Sequence, residues 1–145
     1  YKQRGTADAA DAAGAEVSYM GDRKYRDVRV NGLAVKTWPL YTDILEAYEV
    51  INVPIAGGHG LSTLTPAMKN RTGVMGGRRS RIHRNIDESL VDIAGAVKPA
   101  PTVLDACGAT LFGLKGSDLE YVRLGVRYDL GVLDLSKLKI RKIQV

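Results

Sequence analysis

Apolar and polar positions recur with two different periods along this chain, and the changes of period mark its elements. Ala7 to Ala13 is rich in Ala and Asp and reads as the end of a helix, with Gly14 as its stop. Ala15 to Tyr19 alternates and reads as a strand. Tyr25 to Val30 and Leu33 to Trp38 alternate as well, with Asn31-Gly32 between them, a pair suited to a two-residue turn. These segments predict a β-hairpin that ends at Pro39. Thr42 is placed to cap a short helix, Asp43 to Tyr48. Val50 to Ile55 is an apolar, β-branched run between turn residues and is expected to be a buried strand, parallel to its neighbours.

Beyond Ile55 the glycines of Ala56-Gly57-Gly58-His59-Gly60 predict a loop. Thr65-Pro66 predicts a helix start, with the helix running to about Arg71 and stopping near Gly73. Val74 to Arg84 reads as a second loop. Asn85 and Glu88 have capping-box spacing and open a helix to about Val97, with Ile86, Leu90, Ile93, Ala94 and Val97 on one face. Pro99 and Pro101 bracket its exit, and Thr102 to Leu104 reads as a short strand ending at Asp105. A small-residue helix is expected from Ala106 to Leu114. Ser117 and Glu120 then open a helix from Asp118 to about Tyr128, which Gly131 ends. Leu138 to Val145 alternates and reads as a terminal edge strand whose lysines discourage unwanted pairing. The expected fold class is therefore α/β: a mostly parallel sheet flanked by helices, with a β-hairpin near the N-terminus.

With 145 residues the chain suits a single domain, 1–145, able to bury a core without disulfide or metal. No apolar run approaches the roughly 20 residues of a membrane span, so no membrane partner is expected. Cys107 stands alone, which excludes an internal disulfide and a cysteine-held cluster and points to a reducing compartment such as the cytoplasm. Tyr1 to Gly5 is basic, but no apolar segment follows, so it does not read as a signal peptide. The chain lacks an initiator Met, and the expectation is a fragment, a processed chain or an incomplete one.

The net charge of +5 suits an anionic partner, and suits mere solubility equally well. Its distribution says more. Arg71 to Arg84 holds five arginines and no acid, a concentrated positive source fitted to phosphate or carboxylate. The glycines of the first loop, Gly58 and Gly60 among them, let backbone amides approach an anion. Lys69 and Asn70 follow on the next helix. The expected ligand is thus a small anionic molecule, held by Gly58, Gly60, Lys69, Asn70, Arg78, Arg79 and Asp105. His59 and His83, the only histidines, are the acid/base candidates, against the plainer reading of two surface loop residues. Their spacing supplies no third metal ligand, so no metal is assigned, and no cofactor is indicated. The glycine loop matches neither a Walker loop nor a dinucleotide fingerprint. Asp105 either faces the ligand or caps the following helix, and Cys107, between Ala106 and Gly108, reads as a small core residue. No aromatic is interleaved with the arginines, which disfavours nucleic acid as the partner.

Several stretches together resemble the family called domain of unknown function 362. They are Glu49 to Ile55, His59-Gly60, Thr63-Leu64-Thr65, Met68-Lys69-Asn70, Gly73-Val74, His83 before Leu90-Val91-Asp92, and Thr102 to Ala106. The resemblance covers most of Pro39 to Ala106 and, more loosely, the tail from Gly108. It implies an α/β fold and a redox-associated setting, in which relatives are often joined to ferredoxin-like iron–sulfur modules or follow an export signal. It implies no established activity. An iron–sulfur partner of this chain would have to be another chain, since no cluster-binding cysteines are present. His59, Lys69, Asn70, Gly73 and His83 resemble the family's recurrent polar and glycine positions, and Asp105 its acidic strand end. Two departures stand out. Gly57-Gly58 replaces a Lys and a polar residue before the motif histidine, and a segment between Asp105 and Cys107 is expected to be missing. The amino-terminal part of the family domain is also expected to be absent.

Overall fold

The computed structural model of the chain describes residues 5–21, 23–54, 58–59, 63–64, 67–97, 103–134 and 136. The sequence order begins with helix α1 (Thr6–Ala12), strands β1 (Tyr25–Arg29) and β2 (Thr37–Tyr41), and helix α2 (Thr42–Glu46). A two-residue ribbon of β3 (Gly58–His59) and β4 (Thr63–Leu64) comes next, then α3 (Ala67–Asn70). Two 3-10 segments, Arg71–Val74 and Arg79–Asn85, lead into α4 (Ile86–Ala96). The chain continues through α5 (Val103–Thr110), a 3-10 turn (Gly116–Asp118) and α6 (Glu120–Arg127).

The N-terminal hairpin forms, in antiparallel register from Tyr25 opposite Tyr41 to Arg29 opposite Thr37. Its closure differs from the expected Asn31-Gly32 turn. Asn31 takes a positive φ of 54°, and the Gly32 N–H donates to the Val35 carbonyl at 3.0 Å, which puts Leu33 and Ala34 at the tip. The reason is tertiary. The N–H groups of Leu33, Ala34 and Val35 all donate to the Asp92 carboxylate of α4, at 2.7, 2.8 and 2.8 Å. A Cβ at Gly32 would overlap that carboxylate, so only glycine allows the approach. Pro39 does not end the hairpin. It lies inside β2, as a two-stranded sheet allows.

Helix α4 lies within one residue of its expected span at each end and is the central element. It buries Leu90, Val91 and Ala94 in one core with Met68, Ala106, Ala109, Leu119, Tyr121 and Val122. Through Ile93 it enters a second core with Val35, Trp38, Leu40, Met75, Ile82 and Val97. A helix in contact on both sides must be apolar nearly all round, and six consecutive residues from Ser89 to Ala94 are buried. Arg71 closes its C-terminal end: the buried guanidinium Nη1 donates to the Ala94 carbonyl at 3.0 Å and to the Val97 carbonyl.

The fold is mixed helix and strand, and among the described residues both strand pairs are antiparallel. The expected parallel strand is not formed over residues 50–54. There the Asn52 side chain donates to the Ala67 carbonyl at 2.7 Å, tying the segment to α3 by a side chain, while Ile51 and Val53 remain 86% and 80% exposed. The strand expected at Thr102 to Leu104 is replaced from Val103 onward by α5, which runs unbroken across Ala106 and Cys107. Short apolar runs do not distinguish strand from helix by period, and Asp105 in the first turn favours the helix. Ala15 to Tyr19 is irregular and not the expected strand. Neither expected capping box forms: Asn85 makes no side-chain cap to α4, and α6 starts after Leu119, with Asp118 accepting from the Lys115 N–H at 2.8 Å instead. Cys107 is exposed and not a core residue. The helix start at Thr65-Pro66, the Pro99 and Pro101 bracket and the terminal strand Leu138 to Val145 lie outside the described residues. No described helix is long and apolar enough to cross a membrane.

Replacing Asp92 by Ala strands three backbone donors, two of them part-buried and one buried, and should cost about 3 kcal/mol of unfolding free energy. Gly32→Ala should weaken the fold in the same direction by pushing the carboxylate away. Urea denaturation measures both, and unchanged midpoints would refute this account of the turn.

Candidate functional site

The arginine-rich stretch is shaped by its attachment to the hairpin. The Gly76 N–H donates to the Pro39 carbonyl at 2.8 Å, and the Trp38 indole N–H donates to the Gly76 carbonyl at 3.0 Å. A Cβ on Gly76 would stand 2.7 Å from the Tyr25 ring, so the strand and this loop can meet only at a glycine. Gly77, at φ 63°, then turns the chain into the 3-10 segment.

In a 3-10 helix the side chains at i and i+3 eclipse one another. Ile82 is buried in the second core and orients the segment. Arg81 and Arg84, three residues apart on it, line one hollow of about 410 Å³ together with Arg78 at its N-cap and with Asn85, Ser89 and Trp38. No carboxylate lines it. Arg81 rests on the Trp38 ring, 5.4 Å from its centroid, while the Arg78 and Arg84 side chains have no hydrogen-bond or ion-pair partner among the described residues. The N-terminal end of α4 opens onto the same hollow through Asn85 and Ser89, adding the positive end of its dipole. Arg79 leaves the backbone on another side and lines a second hollow of about 370 Å³ with Gly73, Gly76, Gly77 and Tyr25.

The other residues singled out in the sequence fall elsewhere. His83 is exposed on the same 3-10 segment but does not line the arginine hollow. Gly58 and His59 form β3, paired with Leu64 and Thr63, while Gly60 and the His59 side chain lie outside the described residues. Asn70 donates to the Asn52 side chain at 2.6 Å, completing the tie between that segment and α3. Burial lowers the Lys69 ammonium pKa, and its Nζ has no hydrogen-bond partner among the described residues.

Asp105 is fully buried on α5, where its carboxylate accepts the Met68 N–H of α3 at 3.3 Å. Its other oxygen has no partner among the described residues, nor do Arg71 Nη2 and Tyr121 Oη, two buried groups that act on Asp105 or feel its charge. Burial pushes the Asp105 carboxyl up to about 6, against the opposing pull of the Met68 N–H and Arg71. Burial likewise raises the Tyr121 hydroxyl, with Asp105 and Asp87 adding to the effect. Among the described residues no three His, Cys, Asp or Glu side chains gather as a metal would require.

The sequence reading missed Trp38 as the floor beneath the arginines, and Arg81 and Arg84 as companions of Arg78. The Arg-x-x-Arg-x-x-Arg spacing was the available signal, once the segment is known to be a 3-10 helix and not a loop.

Fold and site together define a mixed helix-and-hairpin domain with a cationic face open to solvent. The family model Domain of unknown function (DUF362) matches residues 1–125 of the 145, and the chain belongs to this family. The match includes α1 and the hairpin. Comparison with curated proteins and with solved structures gives no match.

The raised Asp105 carboxyl carries a definite pH dependence. Its folded-state value, about 6, lies above the ordinary 3.8, so protonation favours the folded chain. Stability from this group is greatest below about pH 4 and declines as pH rises to 6, by about 3 kcal/mol. The difference in unfolding free energy between wild type and Asp105→Asn should therefore change by that order between pH 4 and 7, with the variant gaining relative stability at the higher pH. A pH-independent difference would contradict the assignment.

Proposed function

We propose that this domain binds a small anionic ligand, a phosphate or carboxylate group, in the hollow of Arg78, Arg81 and Arg84. The observation that carries the reading is that three arginines line one hollow without a carboxylate among them. Two of the three guanidinium groups have their donors uncommitted among the described residues, and the third is braced on Trp38. Guanidinium forks pair bidentately with such anions. Some described arginines elsewhere are engaged: Arg26 pairs with Glu46, Arg29 donates to Asn31, and Arg123 binds Glu120 and the Ser117 carbonyl.

Nucleic acid fits less well. Trp38, the aromatic at this site, is 7% exposed with its N–H engaged, and offers no face for a base. His59 and His83 are the acid/base candidates from the sequence, and Lys69, Asn70 and Asp105 the further ligand-binding candidates, although His83 does not line this hollow. The redox setting implied by the resemblance, with an iron–sulfur protein on another chain as partner, is part of the same proposal.

Titration calorimetry with inorganic phosphate at low ionic strength tests the reading. Arg78→Ala combined with Arg84→Ala should weaken phosphate at least tenfold with unchanged circular dichroism, since neither side chain supports the fold. Absence of phosphate binding, or equal affinity in the variant, overturns the proposal. Steeply salt-dependent capture of a single-stranded oligonucleotide, with no phosphate binding, would favour the nucleic-acid reading instead.

A further inference from the structure

We propose that the two arginine hollows are subsites of one site, and that its ligand carries two or more linked anionic groups of the oligophosphate class. The inference rests on the anion-binding reading above and specifies its substrate class. Arg78 and Arg79 are neighbours in sequence, with Cα atoms about 3.8 Å apart. Yet Arg78 lines the hollow of about 410 Å³ and Arg79 the hollow of about 370 Å³. The divergence follows from the backbone: Gly77 has φ 63°, and Arg78 has φ −81° and ψ 79°, outside the helix that starts at Arg79. Consecutive side chains leave such a turn in different directions, and the chain itself forms the ridge between the hollows.

Both hollows share the same chemistry. Neither is lined by a carboxylate, and the Arg79 side chain, like those of Arg78 and Arg84, has no hydrogen-bond or ion-pair partner among the described residues. The Arg79 hollow has Gly73, Gly76 and Gly77 in its wall, and a Cβ at Gly73 would meet nothing within 4 Å. A single phosphate engages one hollow. A chain of linked phosphates crosses the ridge and engages both, with the second contact made at the high effective concentration that linkage provides. The higher charge of an oligophosphate would strengthen its binding to any cationic patch, so the informative quantity is the contribution of Arg79 alone.

The experiment compares inorganic phosphate with tripolyphosphate at matched ionic strength, on wild type, Arg79→Ala and the Arg78→Ala, Arg84→Ala double variant. The expected result is tripolyphosphate binding at least tenfold tighter than phosphate in the wild type. Arg79→Ala should remove most of that advantage and leave phosphate affinity within about twofold of wild type. An advantage that persists in Arg79→Ala overturns the two-subsite inference, as does an equal loss for both ligands, and phosphate binding in the first hollow survives either outcome. Failure of wild type to bind phosphate, or phosphate affinity unaltered in the double variant, overturns the underlying reading and this inference with it.

Discussion

One carboxylate holds the two halves of the fold in register. Asp92, on the central helix, accepts three successive backbone N–H groups from the tip of a hairpin nearly sixty residues earlier. Donors at a turn need partners when solvent is excluded, and a buried carboxylate needs donors. Each satisfies the other. The contact places the hairpin across α4, and Val35 and Trp38 enter the second core as a result. Gly32 is the concession the chain makes for it, since any side chain there would displace the carboxylate.

From that contact the cationic face follows. With β2 held against α4, its outer edge receives the loop at Met75 and Gly76 through the Leu40–Met75 bridge and the Pro39 carbonyl. Ile82 then anchors the 3-10 segment in the same core, and the arginines that cannot be buried are left on its outer side. At the opposite end of α4, Arg71 is drawn inside to cap the last carbonyls. One arginine of the five is thus structural and four are free of carboxylates. Membership of the DUF362 family supplies no activity to explain this division, whereas helix capping accounts for the buried one.

Much of the local structure could be read from periodicity. Helix α4 stands where its apolar spacing put it, α6 starts two residues later than expected, and the hairpin forms between the two alternating segments. The reading failed where a short apolar run had two solutions. Residues 50–54 have the composition of an inner strand, yet Asn52 binds the α3 backbone and the apolar side chains stay outside. Val103 and Leu104 have strand character but continue into a helix of small residues. Asp105, expected at a strand end, sits instead inside the helix-packed core, where its role is set by burial.

The sequence alone determined the density of unopposed arginine between Arg71 and Arg84, the amphipathic helices and the hairpin. These properties depend on residues a few positions apart, and local sterics and hydrogen bonding are sufficient to express them. Only the tertiary structure decided that Arg78, Arg81 and Arg84 share a hollow, that Arg79 leaves it, that Arg71 is a helix clamp and that Trp38 lies beneath Arg81. Those outcomes depend on which distant groups exclude water together, and no local pattern encodes the partner of a side chain across the core.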